Sequence, residues 1–469
     1  MKIAFIHYHL KTGGVTTVLH QQIEAIKDDC EVLVFTGTPP DQPFPADTIT
    51  INGLGYDVSC PNPPAPENIA SSIIKAIISK FGEQCSVLHI HNPTLAKNTH
   101  FLSILKCLQR YKVRLFLQIH DFAEDGRPLS YYSDEYPSDC HYGVINSHDF
   151  RLLLKAGLKT DGLHKIFNIV TDFDPKPSDI SPQPHVLYPI RAIRRKNIGE
   201  AILLSLFFQK GESLVITLPP NSSVDIDSYK GWKSFVEDNA LKVEFDAGLD
   251  HDFSDLVQTS HFLITTSITE GFGFSFIEPW LANKLVWGRR LARICIDFER
   301  NGVRLEHMYE KLRIPVSWVG KEEFFSKWHA SILKNCDLFK YPIDTETIKN
   351  AFSTITDDGT IDFGLLDEAF QKKIILHVLS HQKTLKTLIR LNPFLSAPGH
   401  VANPELLIKH NRLAVKKNYN YIMYRERLLE IYRRVANVSV NQRLDKTTIL
   451  SHFLNLNEFS LLKWGKYVD

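Results

Sequence analysis

Short and largely apolar runs recur along the chain and constrain its fold more than any other feature. The first covers residues 2–6 and is followed by Gly13, Gly14 and a helical pattern of apolar residues. Further runs of this kind lie at residues 87–90 and 114–119. Such a run is expected of a parallel strand that helices cover on both faces. The sequence therefore predicts an α/β fold whose parallel sheets are built from strand, turn and helix.

The chain is too long for a single hydrophobic core of ordinary size. Its 469 residues make two domains the expectation. Residues 171–185 carry Pro175, Pro177, Pro182 and Pro184 among serines and aspartates, a composition typical of a linker. We predict an N-terminal domain at 1–180, a second domain at 181–415 and a helical segment at 416–469.

The overall composition argues against several classes of protein. With 54 basic and 53 acidic residues, the chain has no strong field for nucleic acid or a membrane surface. No run approaches the roughly 20 apolar residues that cross a bilayer, and His7 and His9 interrupt the first run, unlike a signal peptide. The seven cysteines include no Cys-x-x-Cys pair, which indicates free thiols in a reducing compartment. We expect a cytoplasmic protein without a transmembrane segment or nucleic-acid partner.

A glycine-containing turn at residues 269–280 carries two carboxylates, Glu270 and Glu278. It follows an apolar run at 261–267 and leads into a predicted helix start. Backbone N–H groups at a helix N-terminus favour an anion, and a neighbouring carboxylate can accept hydrogen bonds from sugar hydroxyls. This combination indicates a nucleotide-sugar pocket.

The same turn has a structural alternative, in which Ser275 and Glu278 form a capping box. Pro279 does not suit this alternative, because proline lacks the N–H that the first helical turn uses. The sequence alone leaves both interpretations open.

Two basic residues, Arg191 and Lys196, follow a predicted strand at the start of the second domain. Arginine can bind a phosphate with two parallel hydrogen bonds, and lysine acts as a compact point charge. The pair is a candidate phosphate site. The alternative is an ordinary basic loop in water.

His120 comes directly after the apolar run at 114–119. Ligands of open α/β sheets bind beyond the carboxyl ends of the strands, so His120 is a candidate site residue. In the alternative, His120 and Asp121 only cap the next turn. Further along, Ser147 is predicted to cap a helix at 149–156.

Taken together, the candidate residues resemble the signature of retaining glycosyltransferases of family 4. The matching features are, in chain order, Gly13-Gly14, His120, Arg191-x4-Lys196 and Glu270-x7-Glu278. The resemblance is weakest at residues 205–255 and after residue 290. It implies the GT-B architecture, in which two Rossmann-like domains with parallel sheets face an interdomain cleft and the C-terminal helices cross back. It also implies that residues 165–170 form the last strand of the N-terminal domain.

The resemblance further implies transfer of a hexose, with retention, from a UDP-, GDP- or ADP-linked sugar to the hydroxyl of a sugar or another acceptor. Two groups of residues would carry this reaction. The catalytic group is His120, Arg191, Lys196 and Glu270. The donor-binding group is Gly13, Gly14, Gly271, Phe272, Gly273, Phe274 and Glu278. The nucleotide sugar is a co-substrate, and no cofactor is expected.

The resemblance leaves two alternatives open. A disaccharide phosphorylase can share the fold and use inorganic phosphate, and a catalytically silent protein can still bind sugar nucleotides. Glycosyltransferases of the other main fold hold a metal with an Asp-x-Asp motif, which occurs here three times, at 172–174, 225–227 and 250–252. The first lies near the linker prolines and the others in predicted loops, so we interpret all three as solvated carboxylates. His7 and His9 lack a third ligand in sequence, and no metal site is expected.

Overall fold

A computed structural model of the chain describes residues 1–41, 43–173 and 184–465. Most of the predicted linker, including Pro175, Pro177 and Pro182, lies outside the described residues. The same is true of Asp174 and of the predicted domain boundary at 180/181.

The strands of the described part are short, as the apolar runs predict. In chain order they are β1 Lys2–His7, β2 Glu31–Thr36, β3 Asp47–Thr50, β4 Val87–His91, β5 Leu115–Ile119, β6 His141–Val144, β7 Leu163–Lys165, β8 His185–Arg191, β9 Ser213–Leu218, β10 Val243–Glu244, β11 Leu263–Thr265, β12 Val286–Gly288, β13 Arg313–Pro315 and β14 Thr360–Asp362.

Helices follow most of these strands. In chain order they are α1 Gly14–Ile26, α2 Pro66–Phe81, α3 Phe101–Arg110, α4 Ser147–Lys155, α5 Ile198–Ser205, α6 Ser223–Asp238, α7 Ala247–Asp250, α8 Phe253–Thr259, α9 Glu278–Leu281, α10 Ala292–Arg300, α11 Val316–Val319, α12 Lys321–Leu338, α13 Thr345–Ile355, α14 Glu368–Ser380, α15 Gln382–Leu391, α16 Pro404–Asn418, α17 Tyr421–Asn437, α18 Lys446–Phe453 and α19 Leu461–Trp464.

The chain forms two compact units, and the first is made of Met1–Ile169 together with Tyr419–Leu454. Within its described residues, one parallel sheet has the order β3-β2-β1-β4-β5-β6-β7. Alternate residues of β1 point to opposite faces. Ala4 and Ile6 pack in the core under α2 and α3, whereas Ile3 and Phe5 pack with α1 and α17. The late helix α17 is therefore part of the first unit.

The second unit begins at Val170, runs to Asn418 and continues from Asn455. Its parallel sheet, within the described residues, has the order β10-β9-β8-β11-β12. A core of buried side chains from β8, β9, α7, α8 and β11 covers one face, and it consists of Leu187, Val215, Ala247, Leu256, Val257 and Leu263. The carboxyl ends of β8 and β11 lie side by side in this sheet, and each carries candidate site residues.

Three local predictions were wrong. The last strand of the first unit is Leu163–Lys165, not 165–170. The Ile166 N–H still donates to the Val144 carbonyl at 2.9 Å, but the strand ends there, and Ile169 packs into the core. Helix α4 is capped by Asn146, whose side chain accepts a hydrogen bond from the Asp149 N–H. The Asp-x-Asp triplet at 225–227 lies in α6 and not in a loop. In the part of the chain that the structure describes, no helix is long and apolar enough to cross a membrane.

Candidate active site

The glycine turn of the second unit connects β11 to α9 through a 3-10 turn at Phe274–Phe276. Gly273 adopts a φ of 91°, and a Cβ at this position would lie 2.8 Å from Phe276 Cδ2 and 2.9 Å from Ile294 Cγ2. The turn itself thus requires glycine at this position. The Phe276 N–H donates to the Gly273 carbonyl at 3.0 Å, and the Ile277 N–H donates to the Phe274 carbonyl at 3.0 Å.

The capping-box alternative for this turn was wrong. Ser275 lies inside the 3-10 turn, and α9 begins at Glu278 after Ile277, with no side-chain hydrogen bond at its cap. Within residues that the structure describes, the N–H groups of Gly273 and Phe274 donate to no acceptor. Successive N–H groups of this kind can bind an anion from outside the chain.

Lys196 is held close to this turn by the chain around it. A 3-10 turn at Arg194–Lys196 follows β8, and the Lys196 carbonyl accepts hydrogen bonds from the Tyr188 hydroxyl at 2.7 Å and from Thr266 Oγ1 at 3.0 Å. The Ile268 N–H donates to the Arg195 carbonyl at 3.0 Å. These bonds join the turn to the chain after β11. As a result, Lys196 Nζ forms a hydrogen-bonded ion pair with Glu270 Oε1.

A second cation, Arg195, lies beside the same carboxylate. Its Nη1 is 3.5 Å from Glu270 Oε2, and the Glu270 side chain is only 10% exposed. Burial raises the pKa of Glu270, but the charges of Lys196 and Arg195 outweigh burial, so that its pKa lies below the ordinary value. Glu270 is therefore ionised at neutral pH, and the three residues together carry one positive charge in excess.

Glu278, the second carboxylate of the turn, is exposed to solvent. Desolvation by the surrounding protein raises the pKa of its carboxyl group to about 7, and the charge of Lys196 opposes this shift. Glu278 therefore lies within the electrostatic range of Lys196.

Arg191 lies at the carboxyl end of β8, exposed to solvent. Its Nη1 donates to the Pro219 carbonyl at 3.4 Å, and within the described ranges it forms no ion pair. The structure thus pairs Lys196 with Glu270 and places Glu278 within the electrostatic range of Lys196, but it does not bring Arg191 into contact with them. Sequence reasoning did not identify Arg195 as a site residue. The one feature that could have indicated it is the run of basic residues at 194–196.

A buried ionic network supports the turn that carries Lys196. Arg289, whose side chain is 4% exposed, donates two hydrogen bonds to Glu200 at 2.9 and 2.6 Å and two to Asp362, both at 2.7 Å. Asn197, which follows Lys196 with a φ of 55°, donates to Glu200 at 2.7 Å. Through Glu200 and Asn197, Arg289 therefore supports the backbone next to Lys196.

The glycine pair of the first unit lies where α1 begins, with Gly13 as its cap and Gly14 as its first residue. A Cβ on Gly14 would meet no atom within 4 Å, and one on Gly13 would meet only the Lys11 carbonyl at 3.9 Å. Packing within the described chain therefore does not require glycine at either position.

His120 lies at the carboxyl end of β5 and is 7% exposed. The N–H groups of His120 and Asp121 donate to Asn92 Oδ1 at 2.8 and 3.1 Å. The His120 ring bonds through Nε2 to His91 Nδ1 at 2.9 Å. Burial lowers the pKa of His120 to about 4, although Asp121 opposes this shift.

Over the described ranges, no group of three or more His, Cys, Asp or Glu side chains has the arrangement of a metal site. His7 and His9 lie with their ring centroids 5.3 Å apart.

The chain is similar to several known proteins, although no protein-family model matches it. It is 25% identical over 427 residues to the mannosylglucosyl-3-phosphoglycerate synthase of Petrotoga mobilis, covering 81% of this chain and 82% of that protein. A glycosyltransferase structure from Rickettsia africae has a TM-score of 0.54 at 14% identity, covering 93% of this chain and 98% of the other.

Two further solved structures have the same architecture. Sucrose-phosphate synthase from Thermosynechococcus elongatus has a TM-score of 0.52 at 16% identity, covering 92% of this chain and 98% of the other. HepE from Anabaena, solved in complex with UDP-glucose, has a TM-score of 0.53 at 12% identity, covering 92% of this chain and 99% of the other. The chain therefore has the GT-B fold, with two Rossmann-like domains built on parallel sheets.

Proposed function

We propose that this protein is a retaining glycosyltransferase of family 4, which transfers a hexose from a nucleotide diphosphate sugar to an acceptor hydroxyl. One observation carries the proposal. The Lys196–Glu270 ion pair adjoins a turn in which the N–H groups of Gly273 and Phe274 have no acceptor within the described residues. Cations and unpaired N–H groups suit a diphosphate, and the carboxylate suits sugar hydroxyls.

In the proposed reaction, the departing diphosphate takes up negative charge as the glycosidic bond breaks. Lys196 moves its charge from Glu270 toward the phosphate, together with the exposed Arg191. Fixed charges and dipoles that meet developing charge are usually the largest contribution to catalysis. Arg195 stays on Glu270, which keeps the carboxylate ionised as an acceptor for hydroxyls of the transferred sugar. Glu278 binds the ribose.

The first unit contributes the remaining proposed roles. Gly13 and Gly14 leave room for the donor, since a Cβ on either would meet little of the chain itself. His120 binds the transferred sugar at the carboxyl end of β5, where ligands of α/β sheets are found. Attack of the acceptor on the face that the diphosphate leaves would retain configuration without a protein nucleophile.

The acceptor is proposed from the similar Petrotoga mobilis protein, whose name describes synthesis of a mannosylglucosyl-3-phosphoglycerate. A mannosyl donor with a glucosyl-3-phosphoglycerate acceptor is therefore the first pair to test. We propose a cytoplasmic location because all seven cysteines are unpaired, as expected in a reducing compartment.

The experiment has two stages. A thermal-shift screen with UDP-, GDP- and ADP-hexoses identifies the donor, because a ligand that binds only the folded state stabilises it. Transfer is then measured with and without inorganic phosphate, and NMR of the product gives its anomeric configuration. A requirement for phosphate would indicate a phosphorylase, and donor binding without turnover would indicate a silent binder.

Matched variants test the site. Lys196→Met and Glu270→Gln should each lower kcat by about 10²–10³, the usual effect of removing one stabilising group from the transition state. Lys210→Met and Glu237→Gln change exposed residues and should leave kcat unchanged. Turnover near normal in both site variants would refute the assignment.

A further inference from the structure

Four buried histidines meet at the carboxyl ends of three neighbouring strands of the first unit. His7 ends β1, His89 and His91 belong to β4, and His120 follows β5. The rings of His89 and His91 stack at 4.5 Å, and those of His91 and His120 stack at 5.1 Å with an angle of 14° between their planes. Burial lowers the pKa of His7 and His89 to about 3 and that of His91 well below its usual range. The cluster is therefore neutral at pH 7.

A neutral histidine carries its proton on one of its two ring nitrogens. The tautomer of His89 follows from its partners. Its Nε2 must donate to Gln118 Oε1 at 2.9 Å, because an amide oxygen can only accept, and its Nδ1 accepts from the Tyr432 hydroxyl at 2.9 Å. Since both nitrogens of His89 are occupied, it only stacks on His91 and does not determine the proton position there.

The His91–His120 hydrogen bond allows two arrangements of one proton. Either His91 Nδ1–H donates to His120 Nε2, or His120 Nε2–H donates to His91 Nδ1, over the same 2.9 Å. The second arrangement leaves a proton on His91 Nε2, which is sealed from solvent and has no hydrogen-bond partner in the described residues. Either arrangement leaves His91 Nε2 without a partner and costs the desolvation of that atom, but a buried N–H without an acceptor is rarer than a buried acceptor without a donor.

We infer that His91 is a positioning residue that donates its Nδ1–H to His120 and thereby fixes His120 as the Nδ1–H tautomer. His120 Nδ1 has no partner within the described residues, yet it is not among the atoms sealed from solvent. It is the nitrogen that His120 offers to a ligand. Its N–H is a hydrogen-bond donor, so it recognises an oxygen that accepts, such as a sugar hydroxyl or a phosphoryl oxygen, and it does not act as a base in the free enzyme.

The identity of that oxygen depends on the proposed function, whereas the tautomer does not. The test is long-range ¹H–¹⁵N correlation NMR of the full chain with ¹⁵N-labelled histidine, with the His120 signals assigned by their loss in His120→Gln. The expected pattern is a protonated Nδ1 and a bare Nε2. A protonated Nε2 in the wild-type protein would overturn the inference, whether or not sugar transfer is found.

Two variants of His91 separate its hydrogen bond from its packing. His91→Asp replaces the donor with a side chain of similar size that only accepts, so His120 Nε2 should become protonated, with kcat/KM for transfer falling about tenfold, the order expected for loss of one hydrogen bond. His91→Asn places an amide N–H near the position of Nδ1 and should keep both the Nδ1–H pattern and most of the activity. An unchanged His120 pattern in a folded His91→Asp would refute the role of His91, as would an Nε2–H pattern in His91→Asn.

Discussion

Lowering the pH from 7 to 5 should destabilise the first unit through its buried histidines. His7 is 4% exposed and His89 is fully buried, and burial lowers the pKa of each to about 3. In the unfolded chain both histidines have the ordinary pKa of about 6.5. Below pH 6.5 the unfolded state binds more protons than the folded state. The contribution of each neutral histidine to the free energy of unfolding is therefore complete above pH 6.5 and is lost as the pH falls toward 3.

The magnitude follows from the size of the shift. Each such histidine costs about 1.4 kcal/mol per pH unit below its unfolded pKa, which gives about 2 kcal/mol for each histidine at pH 5. His7 and His89 together should therefore lower the free energy of unfolding by about 4 kcal/mol, a large share of the stability of an ordinary domain.

The assay is urea unfolding at several pH values between 5 and 7, followed by far-UV circular dichroism and by tryptophan fluorescence. All six tryptophans lie in the second unit, so a transition seen only by circular dichroism belongs to the first. His89→Gln keeps a donor for Gln118 but cannot be protonated. It should reduce the slope of the unfolding free energy against pH by the equivalent of about one proton. His20→Gln, at an exposed histidine, is the control. An equal slope in wild type and His89→Gln would refute the reasoning.

Three further predictions concern single side chains. Gly14→Ala should raise the unfolding free energy by at most about 1 kcal/mol, because alanine favours the helix and its Cβ meets no atom within 4 Å. A titration of the same variant with the donor should show weaker binding. Arg289→Met should lower the unfolding free energy by about 3–5 kcal/mol in urea unfolding, because the buried Glu200 and the largely buried Asp362 lose their cation; a loss below 1 kcal/mol would contradict the network. Arg195→Gln should move the acid limb of kcat/KM to higher pH, because Glu270 loses a cation that lowers its pKa, and Arg195→Lys should restore it.

Much of the fold was predictable because its elements depend on local patterns. The apolar run at the N-terminus became β1, and the following glycine pair became the start of α1. Boundaries were harder to predict. Residues 166–170 have the composition of a strand, yet the strand ends at Lys165, and Ile166 and Ile169 pack in a core that also contains residues of the much later helix α17.

The two parallel α/β sheets and the order of the candidate residues could be predicted from the sequence, because periodicity and motif spacing are local properties. Which side chains meet depends on the tertiary structure. Lys196 and Glu270 are 74 positions apart, and Arg195 joins them because the chain after β11 binds its backbone. The partnership of His91 and His120 likewise arises only when β4 and β5 pair. Contacts of this kind depend on the register of strands distant in sequence, which no local pattern records.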